Sequence, residues 1–180
     1  MTRSKLAILV TGLFAAALVV YAQEKKMEAP KPGPEVQRLA VFEGKWSGET
    51  DMKPSPFGPG GKMTSTDDCS WFDGGFQLVC KSTSKGPMGD MKGMYMLTWN
   101  PEEKKYVYFG FDSTGMSGSA RGTASGKVWT WKGEDKKGGK VIHSRYTITE
   151  TSPTSYSFKW ETSEDGKSWS TVAEGTSTKK

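Results

Sequence analysis

One histidine and two cysteines are all that 180 residues hold of the side chains that most often do chemistry. So thin a supply excludes several classes of protein at once. A zinc site of the usual cysteine and histidine spacing cannot be built. A nucleophile–base–acid triad would have to use His143, and nothing in the pattern brings a nucleophile and an acid to it. The chain has no phosphate-binding glycine loop and no dinucleotide fingerprint. Its positive excess is small, +5 in all, and is scattered through Lys-Gly and Lys-Lys turns. Nucleic-acid binders gather such charge on one face, so that class is also excluded. Long apolar runs are missing everywhere except at the start.

That start has the form of an export signal. Arg3 and Lys5 precede Leu6 to Val20, an apolar run broken only by Thr11 and Gly12. The run is shorter than the ~20 residues that span a bilayer. Val20-x-Ala22 offers the small residue a signal peptidase requires, and cleavage after Ala22 is expected, with an uncleaved anchor as the alternative. No cysteine follows the run, which argues against a lipid anchor. Removing Arg3 and Lys5 lowers the net charge from +5 to +3. The expected organisation is a signal peptide at 1–22, a charged, proline-bearing linker at 23–33, and one domain at 34–180. The protein is expected in the periplasm or outside the cell, where disulfides persist.

A short helix should open the domain. Pro34 suits a first turn, Val36, Leu39 and Ala40 recur at helical spacing, and Gly44 can end the helix with a left-handed residue. Beyond Gly44 the period is two. Strands are predicted at Lys45–Met52, Met63–Phe72, Phe76–Ser84, Met91–Asn100, Tyr106–Asp112, Met116–Ala124, Lys127–Glu134, Lys140–Thr149, Ser155–Glu161 and Ser168–Thr176. Many short strands with turn residues between them indicate an all-β sandwich or barrel, and closure removes the exposed edges of a long meander. The expected fold is a single antiparallel barrel of 8–10 strands with a short N-terminal helix.

Gly74-Gly75 would make a two-residue turn that sets Asp73 opposite Phe76, Trp71 opposite Leu78 and Cys69 opposite Cys80. Opposed residues lie within disulfide reach, so a Cys69–Cys80 bridge is expected, with two buried free thiols as the other reading. Alternation gives shared faces to Tyr95, Leu97 and Trp99, to Trp129 and Trp131, to Ile142, Tyr146 and Ile148, and to Tyr156, Phe158 and Trp160.

Gly44-Lys45-Trp46, a Gly-x-Trp where an opening helix meets the first strand, resembles the lipocalin and calycin signature, in which the indole plugs one barrel end. It is followed by Phe72-Asp73-Gly74-Gly75-Phe76, Gly93-x-Tyr95, Thr98-Trp99-Asn100-Pro101, Lys105-Tyr106, Phe111-Asp112-Ser113, Gly122 and Asp165-Gly166-Lys167-Ser168-Trp169. In that order the motifs resemble the domain-of-unknown-function family 1579, secreted bacterial proteins of the calycin type, over roughly Glu35 to Glu174. The resemblance implies a calycin-like barrel with an interior pocket and no particular activity. More distantly the pattern is similar to the nitrobindins, which hold haem through a histidine near the C-terminus. The last strand here has no histidine, so haem is an unsupported cofactor.

The aromatic residues are the main functional clue. Either they simply fill the barrel, or Trp71, Tyr95, Trp99, Tyr108, Trp129, Trp131, Tyr146, Phe158 and Trp160 line a largely apolar cavity in which Arg121 or Arg145 orients a ligand. His143 shares a face with Arg145, outside or at a rim. Met88, Met91 and Met94 offer thioethers of the kind that take Cu(I), against the plainer reading that they fill gaps. Asp67 and Asp68 are adjacent and so face opposite ways, while Glu102-Glu103 beside Lys104-Lys105 reads as a solvated turn. The leading expectation is an exported, non-enzymatic protein that binds a small, largely apolar ligand. A filled barrel serving as an interaction domain comes second, and methionine-based copper binding third. Neither nucleic acid nor, after cleavage, a membrane is an expected partner, and the sequence names no protein partner.

Overall fold

A computed structural model describes residues 29–180. The expected signal peptide and the first part of the linker lie outside the described residues. Residues 31–180 form one unit, which begins with α1 (Pro34–Gln37) running into a 3₁₀ turn (Arg38–Phe42). Proline in the first helical turn forfeits no hydrogen bond, because the N–H it lacks would be an orphan there. Val36, Leu39 and Phe42 are buried, whereas Ala40 is exposed. The tighter 3₁₀ winding moves the apolar stripe from the expected Ala40 to Phe42. Gly44 then turns the chain into the first strand at φ +101°, a backbone state that strains other residues.

Ten strands follow: β1 (Gly44–Met52), β2 (Gly61–Trp71), β3 (Leu78–Gly86), β4 (Gly89–Asn100), β5 (Lys105–Asp112), β6 (Ser117–Ser125), β7 (Val128–Lys137), β8 (Lys140–Ser152), β9 (Ser155–Ser163) and β10 (Ser170–Lys179). Each pairs antiparallel with its sequence neighbours, and β10 pairs with β1 to close the barrel. The fold is thus the closed antiparallel barrel with an N-terminal helix that the alternation predicts. Bulges interrupt the register between Glu150 and Ser152 and between Thr171 and Ala173.

The β2–β3 hairpin has the expected register, with Trp71 opposite Leu78 and Cys69 opposite Cys80. The cysteines are joined by a disulfide. The turn is longer than two residues, however. Phe72 donates its N–H to the Gln77 carbonyl, and Gly75 donates to the Phe72 carbonyl. Residues 73–76 therefore form the loop, with Gly74 and Gly75 both at positive φ, and Phe76 lies outside the strand that the alternation assigns to it. Register survives because both loops are centred on the same glycine pair.

The interior has two tiers. At the helix end, Leu39, Phe42, Cys69, Leu78, Cys80, Leu97, Tyr106, Trp129, Trp131 and Ile148 form a continuous buried cluster. Phe42 meets the Trp129 ring edge-on at 5.0 Å, and Tyr106 lies 4.9 Å from both Trp99 and Trp129. Trp46 is buried beside this cluster, donates its indole N–H to the Phe42 carbonyl at 2.9 Å, and lies 5.0 Å from the Tyr156 ring. Gly44 and Trp46 thus hold the positions that the barrel-end plug requires. Arg38 reaches over the Trp129 ring toward Glu150, which also accepts the Trp129 indole N–H at 2.6 Å. This end is sealed.

Candidate functional site in the open half of the barrel

The opposite half is built from different residues. Strand pairing places Ser65 and Asp67 of β2, Ser82 and Ser84 of β3, Tyr95 of β4, Tyr108 of β5, Asp135 of β7, and Ser144 and Tyr146 of β8 on the inward face. Across them, Phe158 and Trp160 of β9 face in opposite Ile148 and Tyr146. All of these except Ile148 retain some accessible surface, unlike the sealed cluster below. Small inward residues on adjoining strands, Gly93, Gly110, Gly118, Ala120 and Gly133, lie side by side. Backbone carbonyls crowd Gly93 and Gly133, the Tyr108 ring covers Gly110, and the open room is at Gly118. A methyl group added at Gly110 would strike the Tyr108 hydroxyl and the Cβ of Tyr95. At Gly118 it would meet nothing nearer than Asp135 Oδ1 at 4.0 Å.

Two hydroxyls establish that this space is open. Tyr108 and Tyr146 have no hydrogen bond to the protein, yet among the described residues no buried side-chain nitrogen or oxygen is left without a partner. Both hydroxyls must therefore reach space that solvent or a ligand can occupy. They lie deep nonetheless: burial raises the pKa of Tyr108 and pushes that of Tyr146 well above the ordinary phenol value. Burial likewise raises Tyr95, whose hydroxyl donates to Asp67 Oδ1 at 3.3 Å, and takes Tyr156 up to about 12. Asp67 itself is raised by burial, which outweighs its hydrogen bonds from Ser82 and Tyr95. The Tyr95 and Tyr108 rings lie 5.7 Å apart, and the Tyr146 and Phe158 rings stack at 5.4 Å.

At the rim, the β1–β2 connection sets Phe57 5.0 Å from the Trp160 ring. Asp165 organises the β9–β10 loop by accepting the N–H groups of Lys167 and Ser168 and the hydroxyls of Ser163 and Ser168. Those bonds hold its carboxyl well below the usual range. The Asp165-Gly166-Lys167-Ser168-Trp169 motif is therefore a loop staple that seats Trp169 on the outer wall, 4.2 Å beneath the Arg145 guanidinium.

The expected cavity lining divides accordingly. Tyr95, Tyr108, Tyr146, Phe158 and Trp160 surround the open half. Trp129 and Trp131 belong to the sealed end, and Trp71 and Trp99 pack against it, as do the lower sides of Tyr95, Tyr108, Tyr146 and Phe158. Arg145 and Arg121 point outward and cannot orient an interior ligand. Arg145 bonds Glu161 at 2.9 Å, and Arg121 bonds Glu103. Both fall at positions whose strand neighbours face in, and the alternation that turns Tyr146 and Ala120 inward excludes them. The copper set also comes apart. Met91 has inward parity opposite Ser84, Met94 faces out opposite Phe111, and Met88 sits in the β3–β4 turn against Gly58. Three thioethers on different sides of the wall cannot share an ion. His143 is on the outer face, 3.3 Å from Glu134, so no imidazole reaches the interior to ligate haem.

Sequence reasoning weighs Asp67 only as a pair with Asp68 and leaves it out of the cavity lining, although it shares a face with Cys69 and Trp71. A depression of about 820 Å³ also crosses the outer faces of β7–β10. Most of its charged groups are already matched, Glu161 by Arg145 and by Lys159 at 3.1 Å and Glu174 by Lys53, and it is broadly open to solvent. The interior is the better candidate.

The family model for DUF1579, described as a protein of unknown function, matches residues 31–179, the whole of this barrel. The chain belongs to the DUF1579 family. No curated protein sequence matches it significantly. Among solved structures, Rv2717c from M. tuberculosis superposes with a TM-score of 0.58 at 12% identity, over 82% of this chain and 98% of that one. EF1p2_mFAP2b bound to DFHBI gives 0.45 at 11% identity, over 81% and 98%. A fluorescence-activating β-barrel designed de novo gives 0.42 at 10%, over 79% and 96%. The likeness to Rv2717c is one of fold alone.

Proposed function

We propose that this DUF1579 protein is an exported, non-catalytic barrel that holds a small molecule in its open half. The observation that carries the proposal is the pair of deep, unpartnered hydroxyls, Tyr108 and Tyr146, beside a patch of inward glycine and alanine. A barrel evolved only to be filled would place bulk at Gly118, where an added methyl group meets nothing nearer than 4.0 Å, since empty volume costs about 24 cal/mol per Å³ in an apolar core. Concave, mainly aromatic walls with a few polar groups are the general form of ligand sites. Export is supported by the Arg3–Ala22 pattern and the Cys69–Cys80 disulfide. The absence of catalysis is supported by the outward place of the single histidine.

The test uses tryptophan fluorescence with a panel of aromatic and lipophilic small molecules. Saturable quenching at one molecule per chain is expected, and Gly118→Phe, which projects a ring into open space, should weaken it at least tenfold. Loss of the wild-type signal across the panel would sink the proposal. An interaction surface is favoured by one separate feature, the outer stripe of Phe109, Phe111 and Met116, exposed by 50, 53 and 57%. Replacing Phe109 and Phe111 by serine should leave the quenching unchanged if the interior is the working part.

A further inference from the structure

The charge of the open half is opposite to that of the molecule. The chain carries +5 overall, yet Asp67, Asp135 and, at the rim, Asp112 lie on inward positions, and all three carboxylates bear on the Tyr108 hydroxyl. Lys179, which shares the inward face with Asp67, lies over the Trp46 ring at the sealed end. Among the described residues, no lysine, arginine or histidine is among the groups that act on Asp67, Tyr95, Tyr108 or Tyr146. Lys140, at the tip of the β7–β8 hairpin, is exposed and bonded to Glu164. Glu150, the remaining inward carboxylate, is matched by Arg38 at the sealed end. Asp135 receives only the Ser144 hydroxyl at 3.2 Å, and Asp112 the groups of its own turn at Thr114 and Met116. Asp67 has only hydroxyl donors.

We propose that the cavity selects a small organic cation, a protonated or quaternary amine, with Asp67 as its counter-charge and Tyr95, Tyr108 and Tyr146 as its aromatic walls. The inference rests on the reading of the open half as a binding site and names its ligand class. A carboxylate held deep in a barrel without a cation is costly, and a ligand that brings the missing charge offsets that cost. Phenol rings add to it, because their electron-rich faces attract ammonium groups. The unpartnered Tyr146 hydroxyl, deep in the same space, offers a free acceptor to an N–H or polarised C–H donor. The field suits an organic cation better than a metal. Among the described residues, no three of histidine, cysteine, aspartate and glutamate come close enough to share an ion. Burial raises the pKa of Asp67 and is the first cause of the upward shifts of Tyr95, Tyr108 and Tyr146; carboxylates add to the tyrosine shifts, and no cation among the described residues opposes any of the four.

Three probes of nearly one shape separate the possibilities on the full-length chain by calorimetry: benzyltrimethylammonium, its uncharged isostere neopentylbenzene, and benzenesulfonate. The cation should bind about tenfold or more tightly than the hydrocarbon, and the anion should not bind. Asp67→Asn should reduce the cation's affinity about tenfold and leave neopentylbenzene unchanged, with circular dichroism confirming the fold. Asp135→Asn provides a second variant with a smaller expected loss. Equal or tighter binding of neopentylbenzene or benzenesulfonate, abolished by Gly118→Phe, overturns the charge preference but keeps the cavity as a binding site. Failure of all three probes to bind overturns both.

Discussion

Three aspartates show how position decides what a carboxylate does. Asp165 is fully solvent-facing and spends its oxygens on the N–H groups and hydroxyls of its own loop, which lowers its pKa. Asp112 does the same at the β5–β6 turn, led by the Thr114 hydroxyl. Asp67 is displaced the other way, because burial outweighs the hydroxyls of Ser82 and Tyr95. Its ionised form is therefore disfavoured in the folded state relative to the unfolded chain, where the group titrates near ~3.9. A raised carboxyl pKa costs stability at every pH above its folded value, and the cost fades as pH falls from there to the unfolded value. Asp67→Asn should thus raise the melting temperature at pH 7. The gain over wild type should shrink toward zero as the pH approaches about 4, as followed by thermal denaturation across a pH series. A variant that melts lower than wild type at pH 7 would mean that the hydrogen bonds of Asp67 outweigh its desolvation. Stabilisation on loss of the charge proposed to hold a ligand is the trade expected between a site and its scaffold.

At the scale of elements, the strands are legible because their inward and outward residues differ in kind along most of their length. All ten fall in the expected order, with most ends shifted by one to three residues. Where the interior turns polar, that contrast fades: Ser65, Asp67, Ser82 and Ser144 look like outward residues, so the open half of the barrel cannot be told from its surface. Parity alone recovers Asp67 from its shared face with Cys69 and Trp71, and excludes Arg145, which alternates with Tyr146. The β2–β3 turn departs from expectation for a different reason, since a glycine pair suits a two-residue or a four-residue loop equally well. The hairpin that this loop closes is held by Cys69–Cys80 at the boundary between the tiers. Replacing both cysteines by alanine should cost roughly 3 kcal/mol for so short a cross-linked loop, seen as a fall of about 6–12 °C in melting temperature. Trp46→Ala, which empties the plug and frees the Phe42 carbonyl, should cost about 3–5 kcal/mol. If ligands enter from the other end, quenching by bound probe should survive in the folded fraction of both variants.

The molecule as a whole depends on one seam. Nine of its ten strand pairings join sequence neighbours, whereas β1 and β10 meet from opposite ends of the domain, from Trp46 opposite Lys179 to Met52 opposite Ala173. Until that contact forms, β1 and β10 are open edges with unpaired N–H and C=O groups, the feature most prone to pair with another chain. The seam is also where the walls come closest. A methyl group at Gly175 would strike the Glu49 carbonyl across the seam and the Phe158 ring inside. Gly175→Val should therefore part β1 from β10, at about 2–3 kcal/mol for an overpacked position, and expose both edges together. The expected result is a lower melting temperature with concentration-dependent association by light scattering. Gly118→Ala, placed in open interior space, should change neither. A Gly175→Val chain that stays monomeric and melts like wild type would show that the barrel tolerates a parted seam, and that closure contributes less than its ladder of paired residues implies.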